Sequence, residues 1–264
     1  MSAQAMPKQH LSTYLSLCSC LSNENENDNC YVQLLNLLTE QMAPHSFERV
    51  VYETPKTVRK RGVAFRLRRE VEAMNYVQGH TSIPVPAVLE VHLGTDGDED
   101  EGSILMKRLP GRQLGEAWPD MSENARAQTI CQLRSYLDEL RRLRPSKPAW
   151  IGSCSKGPSY DHRINNMSTV GPFASVIEFN DFLVAPVKNC PRPEWVAKYR
   201  KLLPDSHSIV FAHADLSWEN ILVDPETGNV TWILDWEMAG FWPEWWQDRK
   251  ALFAGGAATG GGTF

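Results

Sequence analysis

The sequence predicts an α+β chain of two lobes, a small β-rich one followed by a mainly helical one, with a ligand cleft between them. Three observations carry this expectation. Short β-prone runs surround one helix-spaced segment between residues 49 and 109, the longest amphipathic stretch comes only after 122, and the two regions meet at "LMKRLPG", 105–111. The same reading divides the chain into a lead-in with a short helix (1–44), an amino-terminal lobe (45–110), a carboxyl-terminal lobe (111–250) and a flexible tail (251–264).

Each element has a local reason. The polar run "SNENENDN" marks a lead-in, and "YVQLLNLLTEQM", 31–42, has helical spacing. "ERVVYETPKTVRKRG" reads as two strands around a turn at Thr54-Pro55. "VAFRLRREVEAMNYVQGH" spaces Val71, Met74 and Val77 on one helical face. Two strands follow, Val88 to Leu93 and "SILMKRL", joined by the acidic "GTDGDEDEG", a solvated turn without the spacing of a calcium loop. "SENARAQTICQLRSYLDELRRLRP" is a helix capped by Ser122, stopped by Pro145 and striped with Ile130, Leu133, Leu137 and Leu140. Residues 146–175 read as a long loop, and 176–203 as helical.

Composition narrows the function. With 42% hydrophobic and 22% charged residues the chain can bury a core. A net charge of -5 argues against nucleic acid as the partner, and no run of about 18 apolar residues predicts a membrane span. Cys18, Cys20, Cys30, Cys131, Cys154 and Cys190 are scattered, which fits neither a zinc site nor a disulfide framework and suggests a reduced, cytoplasmic protein. The sequence says nothing of oligomeric state.

The chemistry is concentrated in "IVFAHADLSWENILVD", 209–224, and in "NVTWILDWE", 229–237. "DPETGN" between the apolar runs has turn chemistry, so the runs form a hairpin whose ends bring Asn220 and Asp235 together. A carboxylate and an amide oxygen suit Mg²⁺, and a further carboxylate, Asp215, can take a proton from an attacking hydroxyl. The order H-x-D-x-x-x-x-N followed by a strand-end Asp is that of kinase phosphoryl transfer.

"HADLSWENILVD" with "ILDWE" resembles the catalytic signature of the aminoglycoside phosphotransferase and choline kinase-like family, which has a protein-kinase-like fold. The resemblance covers roughly 48–250; "HTSIPVP" (80–86), "GPF" (171–173) and "AGFWPEWW" (239–246) are most similar to fungal members. It implies an ATP- and Mg²⁺-dependent phosphotransferase acting on a hydroxyl of a small molecule, in a two-lobe kinase-like fold. By resemblance Asp215 is the catalytic base, His213 braces the catalytic loop, and Asn220 and Asp235 hold Mg²⁺. Lys60 matches the phosphate-binding lysine and Glu70 its helix partner, with Arg59, Arg61 and Glu72 as alternates. Met106, Lys107 and Arg108 resemble the hinge whose backbone binds adenine.

The chain also departs from the family. Ala214 stands where the motif has glycine, at a cost of ~1 kcal/mol if the backbone there is left-handed. Lys107 replaces an acidic hinge residue, and "YETPKT" implies a glycine-free turn over the phosphates. Family members continue well past the metal-binding Asp, whereas this chain runs only to Phe264, which implies a truncated carboxyl end and a reduced acceptor site. Trp218, Trp236, Trp242, Trp245 and Trp246 offer either a cation-π surface or core packing. Two other readings therefore stand beside the enzyme: a non-catalytic nucleotide-binding scaffold of the same fold, or a polar cluster that only satisfies hairpin ends and helix caps. Asp215, Asn220 and Asp235, all intact, favour the enzyme.

Overall fold

A computed structural model describes residues 49–94, 101–108, 110–162, 164, 169–185, 193–248 and 250. The expected helix over 31–42, most of the acidic turn and the glycine-rich tail lie outside the described residues.

The hairpin expected around Thr54-Pro55 forms β1 (Arg49–Thr54) and β2 (Thr57–Val63). With β3 (Val88–His92) and β4 (Glu101–Lys107) they make an antiparallel sheet of order β1-β2-β4-β3. Between β2 and β3 runs α1 (Ala64–His80), which buries Leu67, Glu70, Met74 and Val77. The spacing of those four is that of one helical face, so the stripe that anchors the helix also carries Glu70 inward.

The lower lobe opens with β5 (Arg112–Gln113), the short α2 (Leu114–Ala117) and α3 (Glu123–Arg142). Ser122 caps α3 through the Ala125 amide, as its sequence position implies. Leu133 and Leu140 are buried on its inner face, while Ile130 and Leu137 are only half-buried. The described residues between 143 and 175 are largely irregular, with one two-residue pair, β6 (Ser159–Tyr160) and β7 (Thr169–Val170).

Within the stretch expected to be helical, 176–203, the described residues form α4 (Val176–Val184) and α5 (Pro193–Lys201), and 186–192 lie outside the described residues. Proline lacks an amide proton and is tolerated in the first turn of a helix, so Pro193 opens α5 where it would break a continuous one.

β8 (Ile209–Ala212) pairs with β11 (Gly240–Pro243), and β9 (Ile221–Val223) forms the expected hairpin with β10 (Val230–Ile233). One continuous core joins the lobes: Leu67, Met74 and Val77 of α1 pack in the same cluster as Phe211, Ile233 and Phe241. A second cluster gathers Phe179, Trp242 and Trp246 beneath α4. No helix among the described residues is long and apolar enough to cross a membrane.

Candidate active site

Strand alternation determines which basic residue of "VRKRG" enters the cleft. Lys60 is buried, and its Nζ lies 2.9 Å from Glu70 Oε2, 2.9 Å from Asp235 Oδ1 and 4.0 Å from Glu237 Oε2. Its neighbours face the other way: Arg59 bonds Glu53, Glu90 and Ser103, and Arg61 is exposed. Glu72 turns away from Lys60 toward Arg69 and Cys154. The amino-terminal register left open between Lys60, Arg59 and Arg61 therefore has a geometric preference, Lys60 with Glu70.

α1 holds Glu70 at that place because it is packed on both lobes. Tyr76 contacts the rings of Phe211 and Phe241 at 5.1 and 5.8 Å, and Phe65 meets Tyr160 edge-on at 5.6 Å. The segment after α1 is pinned as well, by Ser82 to Glu139 and by the Pro84 carbonyl, which accepts the Ile233 amide.

The catalytic-loop candidates follow β8. His213 is fully buried; its Nε2 donates to the Leu234 carbonyl at 2.9 Å and its Nδ1 accepts the Asp215 amide at 3.2 Å. Burial pushes its imidazole below the ordinary histidine range against the pull of Asp215, so the ring is neutral with the proton on Nε2. Asn220 Nδ2 donates to the Asp215 carbonyl at 2.9 Å, while its own carbonyl accepts the Leu234 amide. Asp215, Asn220 and Asp235 are thus tied into one frame by backbone and side-chain bonds across the β9–β10 hairpin.

Two residues of this frame are left-handed, Ala214 at φ 62° and Asp235 at φ 63°. The alanine in place of glycine therefore does occupy the costly conformation. Burial opposes ionisation of Asp235, but Lys60, by charge and by hydrogen bond, holds its carboxyl below the usual carboxylate range.

Glu237 is the residue that sequence reasoning passed over. It is buried beside Lys60, so one ammonium faces three carboxylates, those of Glu70, Asp235 and Glu237. Its position two residues after Asp235 was the available signal. That excess of negative charge and the hard oxygen donors of Asp235 and Asn220 fit a divalent cation. Among the described residues no group of three or more His, Cys, Asp or Glu is arranged to hold a metal.

Two expectations change. The turn between β1 and β2 does not lie over Lys60. It sits at the end of the sheet where the Arg108 amide donates to the Lys56 carbonyl and Thr57 pairs with Lys107, roughly 10 Å along the strand. An antiparallel hairpin must place its turn there, at the carboxyl end of β4. For the same reason the hinge residues are constrained: the Lys107 and Arg108 amides are donated to Ala87 and Lys56, and Met106 lies within the sheet between β2 and β3. The Lys107 and Arg108 amides are therefore not free to donate to a bound base. Trp236, Trp242 and Trp246 are buried and pack the lower lobe, so they offer no exposed cation-π surface.

With this geometry in place, the comparisons are specific. The profile of the phosphotransferase enzyme family (APH) matches residues 56–245, and the chain belongs to that family. It is 22% identical over 194 residues to an aminoglycoside 3'-phosphotransferase of Streptomyces ribosidificus, covering 73% of this chain and 65% of the relative. It is 23% identical over 172 residues to an aminoglycoside 3'-phosphotransferase of Streptomyces fradiae, covering 65% and 58%. The match thus spans less than two thirds of either relative. Among solved structures, an aminoglycoside-3'-phosphotransferase of type VIII superposes with a TM-score of 0.51 at 18% identity, covering 81% of this chain and 74% of that one. The GDP complex of aminoglycoside 2'-phosphotransferase-IIIa does so with a TM-score of 0.51 at 14% identity, covering 83% and 75%. The fold is that of these kinase-like phosphotransferases.

Proposed function

We propose that this chain is an ATP- and Mg²⁺-dependent phosphotransferase that moves the γ-phosphate to a hydroxyl of a small molecule. The observation that carries the reading is the junction of Lys60 with Glu70 and Asp235, which assembles residues from both lobes around one buried ammonium. The names of the relatives and the nucleotide in one fold neighbour support it.

In this reading Lys60 holds nucleotide phosphates, oriented by Glu70, while Asp235 and Asn220 hold Mg²⁺. The ion supplies charge neutralisation on the phosphate oxygens. Asp215 orients the acceptor hydroxyl and takes its proton as the oxygen attacks the γ-phosphorus; the bond to the β-phosphate oxygen breaks and ADP leaves. His213, neutral and doubly bonded, keeps the Asp215 and Leu234 backbones in register. The lobes defined for residues 45–110 and 111–250 and a cytoplasmic setting belong to the same reading, the latter supported by the free thiols of Cys131 and Cys154.

Calorimetric titration of ATP, with Mg²⁺ and with EDTA, into the wild-type chain and Asp235→Ala tests it. Saturable binding that needs Mg²⁺ and is lost in the variant is the expected result. A folded chain that binds no nucleotide ends the proposal. The left-handed alanine at 214 favours a second reading, a nucleotide-binding scaffold with impaired chemistry. It predicts MgATP binding without transfer to any acceptor or to water.

A further inference from the structure

Ala214 is fully buried and left-handed, directly before Asp215. An L-residue other than glycine, asparagine or aspartate rarely stays there unless its surroundings hold it. Three backbone groups around this bend have partners: the Asp215 amide on His213, the Asp215 carbonyl on Asn220, and the Ala214 amide on Gln247 Oε1 at 2.9 Å. The first two partners belong to the catalytic motif itself. Gln247 does not; it lies beyond β11, outside the residues that the family profile matches.

Gln247 is 6% exposed, and its Nε2 has no partner among the described residues. An orphaned buried donor is costly, and a leucine or methionine at this position would avoid it. What glutamine supplies that those residues lack is the Oε1 acceptor on Ala214. The orientation of the amide is fixed by that bond, because the alanine N–H can only donate.

We propose that Gln247 is a positioning residue for the catalytic loop: its side-chain oxygen clamps the Ala214 amide, holds the left-handed bend that glycine would adopt unaided, and so fixes the backbone from which Asp215 projects. The turnover part of this proposal rests on the phosphotransferase reading; the clamp itself does not.

The test pairs Gln247→Met, of similar size without an acceptor, with Gln247→Glu, which keeps one, and with the double variant Gln247→Met/Ala214→Gly. Amide hydrogen exchange at Ala214 is read first. Protection relative to Phe211 and Ala212 should fall roughly tenfold in Gln247→Met, the factor by which alanine disfavours the left-handed region, and survive in Gln247→Glu. Slow hydrolysis of MgATP, with water as acceptor, is read second. Its kcat should fall roughly tenfold in Gln247→Met with MgATP affinity within about twofold, and return in large part when Ala214→Gly removes the strain. A structural role alone would not be relieved by the glycine. Unchanged protection of Ala214 in Gln247→Met overturns the clamp whatever the nucleotide data show. A wild-type chain that binds no MgATP overturns the phosphotransferase reading, and the exchange data then decide the clamp alone.

Discussion

Lys60 Nζ and Asp235 Oδ1 are 2.9 Å apart although 175 residues separate them, and Glu70 completes the pair from α1 at the same distance. Removing the ammonium would leave Glu70, 2% exposed, without its cation. Lys60→Met should cost about 3 kcal/mol in urea denaturation and weaken MgATP binding at least about tenfold. Arg59→Ala and Arg61→Ala, which change surface contacts, should leave affinity within about twofold. Equal losses for all three would remove the reason for choosing Lys60.

In the proposed mechanism Asp215 acts on the acceptor proton and not on the nucleotide. Asp215→Ala should therefore lower transfer or hydrolysis by at least about a hundredfold while MgATP affinity changes little. Full turnover in that variant would end its assignment as the base.

The pair Asp161–Lys250 is deeply buried, with both carboxylate oxygens 2.7 Å from Nζ, and it ties the 143–175 segment to the last described residues. Lys250→Met should destabilise by about 3–5 kcal/mol, because it strands a buried carboxylate. Asp161→Leu/Lys250→Met should recover much of that loss. Thermal or urea unfolding of the two variants provides the check.

The β9–β10 turn depends on Gly228. Its φ is +75°, and an added Cβ would lie 2.0 Å from the Ala125 carbonyl oxygen of α3. Both backbones would have to move, so Gly228→Ala should cost about 3 kcal/mol or more, and the damage should reach Asn220 and Asp235 as weaker MgATP binding.

Acid should act first through His213. Its folded ring resists protonation, whereas the unfolded imidazole titrates near 6.5, so below that pH the unfolded state binds more protons. Stability is then full above about pH 6.5 and declines as pH falls toward the lower folded value. Asp235, held below the carboxylate range, loses its contribution only in stronger acid, below about pH 4. Urea midpoints measured between pH 8 and 5 should fall in the wild-type chain and fall less in His213→Gln.

The carboxyl-terminal half of the site was legible because its parts lie close in sequence. A hairpin of ordinary turn chemistry suffices to bring Asn220 to Asp235, and His213 and Asp215 come a few residues earlier. The lysine was harder. "RKR" offers three cations, and only the parity of a strand whose inward face is known separates Lys60 from its neighbours. Gln247 and Asp161–Lys250 were invisible, since nothing in an isolated glutamine or aspartate announces a partner 33 or 89 residues away. For the expected hinge residues, hydrogen-bond use depends on which sheet neighbours take the amides first, and that pairing is not written in the local sequence.

α1 is keyed into the lower lobe by Phe65, Tyr76 and its buried stripe, and its Glu70 meets Lys60. Rotating it outward would expose Leu67, Met74 and Val77, each about 2 kcal/mol of apolar burial. Outward rotation of α1 is therefore costly. Control by a swinging helix would first require dismantling the core that the two lobes share.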